Sequence, residues 1–230
     1  MAIFVKLIAS TPDAAKVVAA AAKMCYSASG VSDIMDGLDE QKTASFLKML
    51  VESGHMSPFE HASFTFAVEG ISRVATHQLV RHRLASYSQQ SQRYVEMSDS
   101  ACVVPPAIES DPQALALFSR CADDAWRCYK DLVSIGVAKE DARFILPHGT
   151  MTRITVTMNA RELHHFFALR LCKRAQWEIR DLARRMLILA REASLDLFIN
   201  CGPSCVTRGA CAEAHPCGNP YTGMEQMLEA

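Results

Sequence analysis

Two short stretches alternate apolar and smaller or polar residues in steps of two, and this period constrains the fold more than any other feature of the chain. One carries Phe64, Phe66 and Val68, the other Ile154, Val156 and Met158. Successive side chains of a strand point to opposite faces, so each stretch reads as a strand with one face buried. Most of the remaining chain has helical spacing instead. Thr11 and Pro12 mark a helix start before the alanine-rich run Ala14 to Met24. A second helix is predicted from about Asp39 to Gly54, where Phe46, Leu47, Leu50 and Val51 recur at helical spacing. Ile71, Val74, Ala75 and Leu79 return to that spacing and place Arg81-His82-Arg83 near a helix exit. Asp111-Pro112 opens a long amphipathic helix through Ile135, and a short one runs from about Lys139 to Leu146 before Pro147. Ala160 to Leu171 and about Ala175 to Phe198 are helical too. Strands and helices are mixed without regular βαβ alternation, and no glycine-rich turn follows a strand. The predicted class is α+β, not a Rossmann or P-loop fold.

The chain has 230 residues, 50% of them apolar, enough for a substantial core within one domain. Residues 1–200 are read as that domain and 201–230 as a Cys/Gly/Pro-rich tail. Lys and Arg total 24 against 25 Asp and Glu. This balance gives no global field for a nucleic-acid backbone, so any basic site must be local. No apolar run approaches the roughly 20 residues that cross a bilayer, and Met1 to Ser10 lacks a charged, cleavable leader pattern. The expectation is a soluble, cytoplasmic protein with no membrane partner.

The densest polar segment runs from Arg81 to Tyr94 and holds three arginines, three serines, three glutamines, one histidine and two tyrosines. Surface loops usually mix both charge signs, whereas this segment contains no Lys, Asp or Glu. Guanidinium forks bind phosphate oxygens in pairs, hydroxyls complete an anion cradle, and glutamine amides can read a base edge. The segment is therefore expected to grip a phosphorylated nucleotide.

At these residues the chain resembles the flavin-dependent thymidylate synthases, whose signature is Arg-His-Arg, seven residues, then Ser: here Arg81-His82-Arg83, Leu84 to Gln90, and Ser91. The resemblance extends through Gly54 to His61, Asp141-Ala142-Arg143, Asn159-Ala160-Arg161, Leu169-Arg170 and Ala175 to Ile179, and spans about Val5 to Phe198. It implies an antiparallel or mixed sheet packed with helices, in a homotetramer with active sites shared between subunits. It further implies reductive methylation of dUMP to dTMP, with FAD as cofactor, NADPH as reductant and 5,10-methylenetetrahydrofolate as carbon donor, and no cysteine nucleophile. Carried over by position, Ser57, Arg81, His82, Arg83, Gln89, Asn159, Ala160, Arg161 and His165 are the implied flavin contacts. Gln78, Leu79, Val80, Arg81, Gln89, Gln90, Ser91, Gln92, Arg93, Arg143 and Arg170 are the implied dUMP contacts, Gln92 through its backbone N–H. Arg170 is the implied activator, favouring ionisation at N3 of the uracil. At about 100° per residue Arg161 and His165 share a helix face and Arg170 lies nearly opposite Arg161, so the three divide between two ligands or two subunits.

No metal is expected. His164-His165 with Glu162 lacks the four-residue histidine spacing of a zincin helix, and most histidines are read as structural, with His55, His82 and His165 excepted. Cys25, Cys102, Cys121, Cys128 and Cys172 sit among apolar residues and are expected in the core. Cys201, Cys205, Cys211 and Cys217 contain one tight pair, Cys201 and Cys205, and otherwise match no zinc pattern, which leaves open a metal, a redox pair or a packed tail. Two other readings remain: a nucleic-acid module using Arg81, Arg83 and Arg93, against which the neutral charge balance weighs, and a synthase with a cysteine nucleophile.

Overall fold

A computed structural model describes residues 3–97 and 101–229. The elements run β1 (Phe4–Ser10), α1 (Ala14–Met24), α2 (Val31–Asp36), α3 (Glu40–Glu52), a 3₁₀ turn (Ser57–His61), β2 (Ser63–Ser72), α4 (Arg73–Leu79) and β3 (Ala85–Gln89). There follow α5 (Pro106–Glu109), α6 (Pro112–Ser134), α7 (Lys139–Ala142), a 3₁₀ turn (Arg143–Ile145), β4 (Met151–Asn159), α8 (Ala160–Arg170), α9 (Trp177–Ala193), α10 (Leu195–Phe198), α11 (Ser204–Thr207) and α12 (Met224–Glu229). The four strands form one antiparallel sheet in the order β1-β2-β4-β3. The class is α+β as predicted, and no helix among the described residues is long and apolar enough to cross a membrane.

Local chemistry explains most boundaries. Asp39 caps α3 by accepting from Lys42 N–H at 2.7 Å, and Asp111 caps α6 by accepting from the Gln113 and Ala114 N–H groups, which satisfies donors that have no partner within the helix. Thr11 and Pro12, in contrast, do not open α1. Asp13 precedes it in the left-handed region at φ 47°, a conformation that aspartate tolerates better than most residues. Thr11 is bound to Ser63 instead: its N–H donates to the Ser63 carbonyl at 3.0 Å and its Oγ1 accepts from Ser63 N–H at 2.9 Å. Strand β3 lies in the polar segment and carries no apolar alternation, so periodicity does not reveal it.

Contacts divide the chain into two compact units. The first comprises the amino-terminal residues through Phe4, Val68–Arg81 and Ser88–Ile154. Its core gathers Trp126, Tyr129 and Ala142 with Met97, Leu132, Val133, Val137 and Leu146 around them. The second comprises Val5–Ala67, His82–Tyr87 and the residues from Thr155 onward. Phe59, Phe64, Phe166, Phe167 and Phe198 are fully buried there. Phe198 meets Phe64 edge-on at 5.2 Å and stacks on His164 at 5.6 Å.

The five cysteines expected in the core lie outside it: Cys25, Cys121 and Cys128 are exposed, and Cys102 and Cys172 are half-buried. On α6 the buried face carries Ala122, Trp126 and Tyr129, and Cys121 and Cys128 stand off it. The buried thiol is that of Cys201.

Phe198→Ala should cost about 3–5 kcal/mol, the range for emptying a large aromatic site, measured by urea unfolding. Ile135→Ala, at a side chain 77% exposed, should stay within about 0.5 kcal/mol; equal losses would contradict this assignment of the core.

Candidate functional site

Helix α4 is capped by Ser72, whose Oγ accepts from Ala75 N–H at 3.1 Å. The helix ends at Leu79, and the chain turns to deliver Arg81, His82 and Arg83. The two arginines are exposed, but His82 is only 4% exposed.

Both ring nitrogens of His82 are occupied. Nδ1 lies 2.9 Å from Glu162 Oε1, and Arg170 Nε donates to Nε2 at 3.0 Å. A guanidinium N–H can only donate, so Nε2 is unprotonated, and Nδ1 carries the proton that it donates to Glu162. The environment agrees: burial pushes the His82 pKa below 6.5 and the Arg170 charge adds to this, outweighing the bond to Glu162 and its charge, which act the other way. Burial likewise draws the Arg170 guanidinium down, opposed by Tyr87. The Tyr87 hydroxyl donates to the His82 carbonyl at 2.8 Å and so holds the backbone as well as the ring; burial pushes its own pKa up, with the Glu162 carboxylate adding to the rise. His165 meets the His82 ring at 5.6 Å.

His82, Glu162 and His165 place three donor atoms within 4.8 Å of one another, as a metal ion would require. An ion there would have to displace either Glu162 or Arg170 from His82. The cluster is therefore read as a hydrogen-bonded chain, Glu162–His82–Arg170, reaching from the first turn of α8 to its last.

The predicted residues divide between the units. With His82 in the second unit are Ser57, Arg83, Asn159, Ala160, Arg161, His165 and Arg170. Asn159 Oδ1 caps α8 by accepting from Glu162 N–H at 2.9 Å, so its Nδ2 is the group suited to a ligand. Arg161 pairs with Glu60 of the Ser57–His61 turn. His165 and Arg170 both approach His82 although they lie on well-separated parts of the α8 face, and Arg161 points elsewhere.

The first unit holds Gln78, Leu79, Val80, Arg81, Gln89, Gln90, Ser91, Gln92, Arg93 and Arg143. Glu140 ties two of them together: its carboxylate accepts from Arg93 Nε at 2.7 Å and its carbonyl from Arg143 Nε at 3.0 Å. Arg73, which sequence reasoning did not single out, joins this group. Its Nη2 donates to the Gln90 carbonyl at 3.1 Å, and its pKa is lowered by burial first and by the Arg143 charge second. Arg73 Nε and Gln92 Nε2 are buried without a hydrogen-bond partner. The gathered guanidinium groups of Arg73, Arg93 and Arg143 are what an anionic ligand would pair with. Gln89 Nε2 donates to Thr76 Oγ1 at 3.3 Å and Thr152 Oγ1 at 3.4 Å, leaving Oε1 as the atom that can read a ligand.

Sequence reasoning missed Glu162, Tyr87, Arg73 and Glu140 as site residues. Glu162 did leave a signal, a carboxylate three residues after the cap Asn159, but that pattern reads as a capping box.

The family described as thymidylate synthase complementing protein matches residues 6–194. A flavin-dependent thymidylate synthase of Clostridium tetani is 46% identical over 95% of this chain and 94% of its own. One from Geobacter sulfurreducens is 47% identical over 91% and 90%. Among solved structures, the UMP/dUMP methylase PolB from Streptomyces cacaoi, bound with 5-Br dUMP, superposes with a TM-score of 0.76 at 28% identity over 86% of this chain and 93% of that one.

The state of His82 makes the fold sensitive to acid. Its pKa in the fold lies below its ordinary 6.5, so protons bind the unfolded chain more readily. Its contribution is complete above pH 6.5 and lost as pH falls through the depressed value. Urea midpoints between pH 8 and 5 should fall on acidification, and less steeply in His82→Asn; the residual slope is assigned to His164, whose pKa is also lowered by burial. Identical slopes would show that His82 is not held neutral.

Proposed function

The chain belongs to the thymidylate synthase complementing protein family, whose curated relatives here are flavin-dependent thymidylate synthases, and from that membership we propose that it methylates dUMP reductively to dTMP. It is a flavin-dependent methyltransferase. The finer assignments are FAD as the flavin, NADPH as reductant and 5,10-methylenetetrahydrofolate as carbon donor, with residues 1–200 carrying the activity. The protein would act as a cytoplasmic homotetramer whose active sites draw on neighbouring subunits.

The observation that carries this reading is the Glu162–His82–Arg170 chain. A neutral imidazole accepting from Arg170 Nε fixes the plane of the guanidinium without cancelling its charge. Such a preset cation stabilises negative charge developing on a uracil ring, and it cannot surrender its own proton. We assign Arg170 to favour ionisation at N3 of dUMP, and His82 to position it. Arg93 and Arg143, joined by Glu140, are assigned to the phosphate, with Gln78, Arg81, Gln90, Ser91 and the Gln92 backbone completing the nucleotide contacts alongside the exposed Val80, whereas Leu79 has no exposed surface and packs in the core.

The donor set also suits a flavin. Arg81, Arg83 and Arg161 are exposed guanidinium groups, as a pyrophosphate requires; Ser57 and Asn159 supply neutral contacts, Ala160 being fully buried, and Gln89 and His165 offer the ring a polar edge. When bound, the flavin supplies the reducing electrons that the transferred carbon needs. No thiol is assigned a nucleophilic role.

Purified protein should show flavin absorption bands that NADPH bleaches anaerobically, faster with dUMP present. A protein unable to take up FAD would end this reading. Arg170→Ala should keep its flavin and lose on the order of 10²–10³ in kcat, while Arg161→Ala should reduce flavin content. Retained turnover in the first, or unchanged flavin in the second, would remove that residue's assignment.

A further inference from the structure

Beyond the nucleotide and flavin chemistry, four thiols of the second unit come to one place. Cys172, just past the end of α8, and Cys205, Cys211 and Cys217 of the tail line a single cleft with Lys173 and Tyr221. The Tyr221 hydroxyl lies within electrostatic reach of Cys172, Cys205 and Cys217, and Lys173 Nζ stands 4.5 Å over the Tyr221 ring. None of the four is in a disulfide. Cys201, the tail cysteine nearest Cys205 in sequence, is not among them and is buried elsewhere; a cysteine 33 positions before Cys205 takes its place.

The loop that presents these thiols has no core of its own. Every residue from 208 to 220 is exposed. Its ends are seated: Gly202, at φ 135°, receives Met227 so closely that a Cβ would come within 3.1 Å of the sulfur, and Arg184 donates to the Leu228 carbonyl at 3.2 Å. Between them the backbone reverses at Gly209 and Gly218, both with positive φ, one on each side of Cys211 and Cys217. Within the loop, Ala212 N–H donates to Ser204 Oγ at 2.8 Å and Glu213 pairs with Arg174 at 2.9 Å; a segment this exposed has little core to hold one course, and small folds of this kind add a disulfide or a metal.

We propose that Cys172, Cys205, Cys211 and Cys217 hold a metal centre as thiolates. Binding releases the four thiol protons and leaves the cysteine sulfurs at the thiolate level, the metal and, for a cluster, its iron and inorganic sulfide coming from outside the chain; Lys173 lines the same cleft, where it offsets part of the resulting negative charge. A single tetrahedral zinc, with Zn–S bonds of about 2.3 Å, draws its sulfurs to about 3.8 Å from one another. Among the described residues only His82, Glu162 and His165 bring three donor atoms within 4.8 Å. No three of the four sulfurs are that close, so a single zinc requires them to close in, while an iron–sulfur cluster, held likewise by four thiolates, contains more than one metal atom.

The test is the metal and acid-labile sulfide content of the full-length chain, purified anaerobically without added metal. Iron and sulfide in equal amounts, or one zinc per chain that survives dialysis, is the expected result. Cys211→Ser and Cys217→Ser should lower it at least tenfold, and Cys121→Ser should leave it unchanged. In the wild-type chain, Cys172, Cys205, Cys211 and Cys217 should resist alkylation until a chelator is added, which tests the site without any variant that fails to fold. Metal below a tenth of the chain concentration, immediate alkylation of the exposed Cys211 and Cys217, or a disulfide among the four would overturn the proposal. None of these readouts depends on flavin or dUMP.

Discussion

The arrangement around His82 depends on a limit in hydrogen-bond chemistry: a neutral imidazole has one donor and one acceptor, and here both are spent. Glu162 would be costly as a buried carboxylate without a partner, and the Nδ1 proton meets that need. Arg170 must find an acceptor, and Nε2 is that acceptor. Because the tautomer that suits one partner also suits the other, the three side chains hold one another in a single arrangement. Protonating the ring would set like charges against each other, and burial already disfavours this. The bond from Tyr87 to the His82 carbonyl extends the constraint to the backbone.

The arginines of the first unit follow a different logic. The Arg93–Glu140 pair is about half exposed on both sides, so it adds little to stability. Its effect is geometric, since one residue, Glu140, positions two guanidinium groups through separate atoms. Arg73 is held more tightly, with a buried Nε that lacks a protein partner. Burying a donor unsatisfied destabilises the chain unless something else meets it, and Trp126 Nε1 in the hydrophobic core shares that condition.

The tail shows how spacing can mislead. Cys201 and Cys205 form the tightest pair in the sequence, yet one is in the core and the other lines the cleft. Cys172 has nothing near it in sequence to mark it, and reaches the cleft only because the junction between α8 and α9 lies where the tail folds back. Proximity of this kind is set by the path of helices, which no local pattern records.

What the sequence determined by itself was whatever depends on neighbours a few residues away. The period of two at Phe64–Val68 and Ile154–Met158, the caps at Asp39 and Asp111, and the charge-poor, hydrogen-bond-rich segment Arg81–Tyr94 all act locally, and so the α+β class and the candidate segment were legible. β3 was not, because its place in the sheet comes from pairing with β4 rather than from any apolar alternation. The tertiary structure alone decided that Glu162 serves His82 beyond its place in a cap pattern, that Arg73 joins Arg93 and Arg143, and that Cys172 replaces Cys201 in the thiol cleft. Each is a contact between residues 17 to 80 positions apart or more, and such contacts are selected by the packing of whole elements.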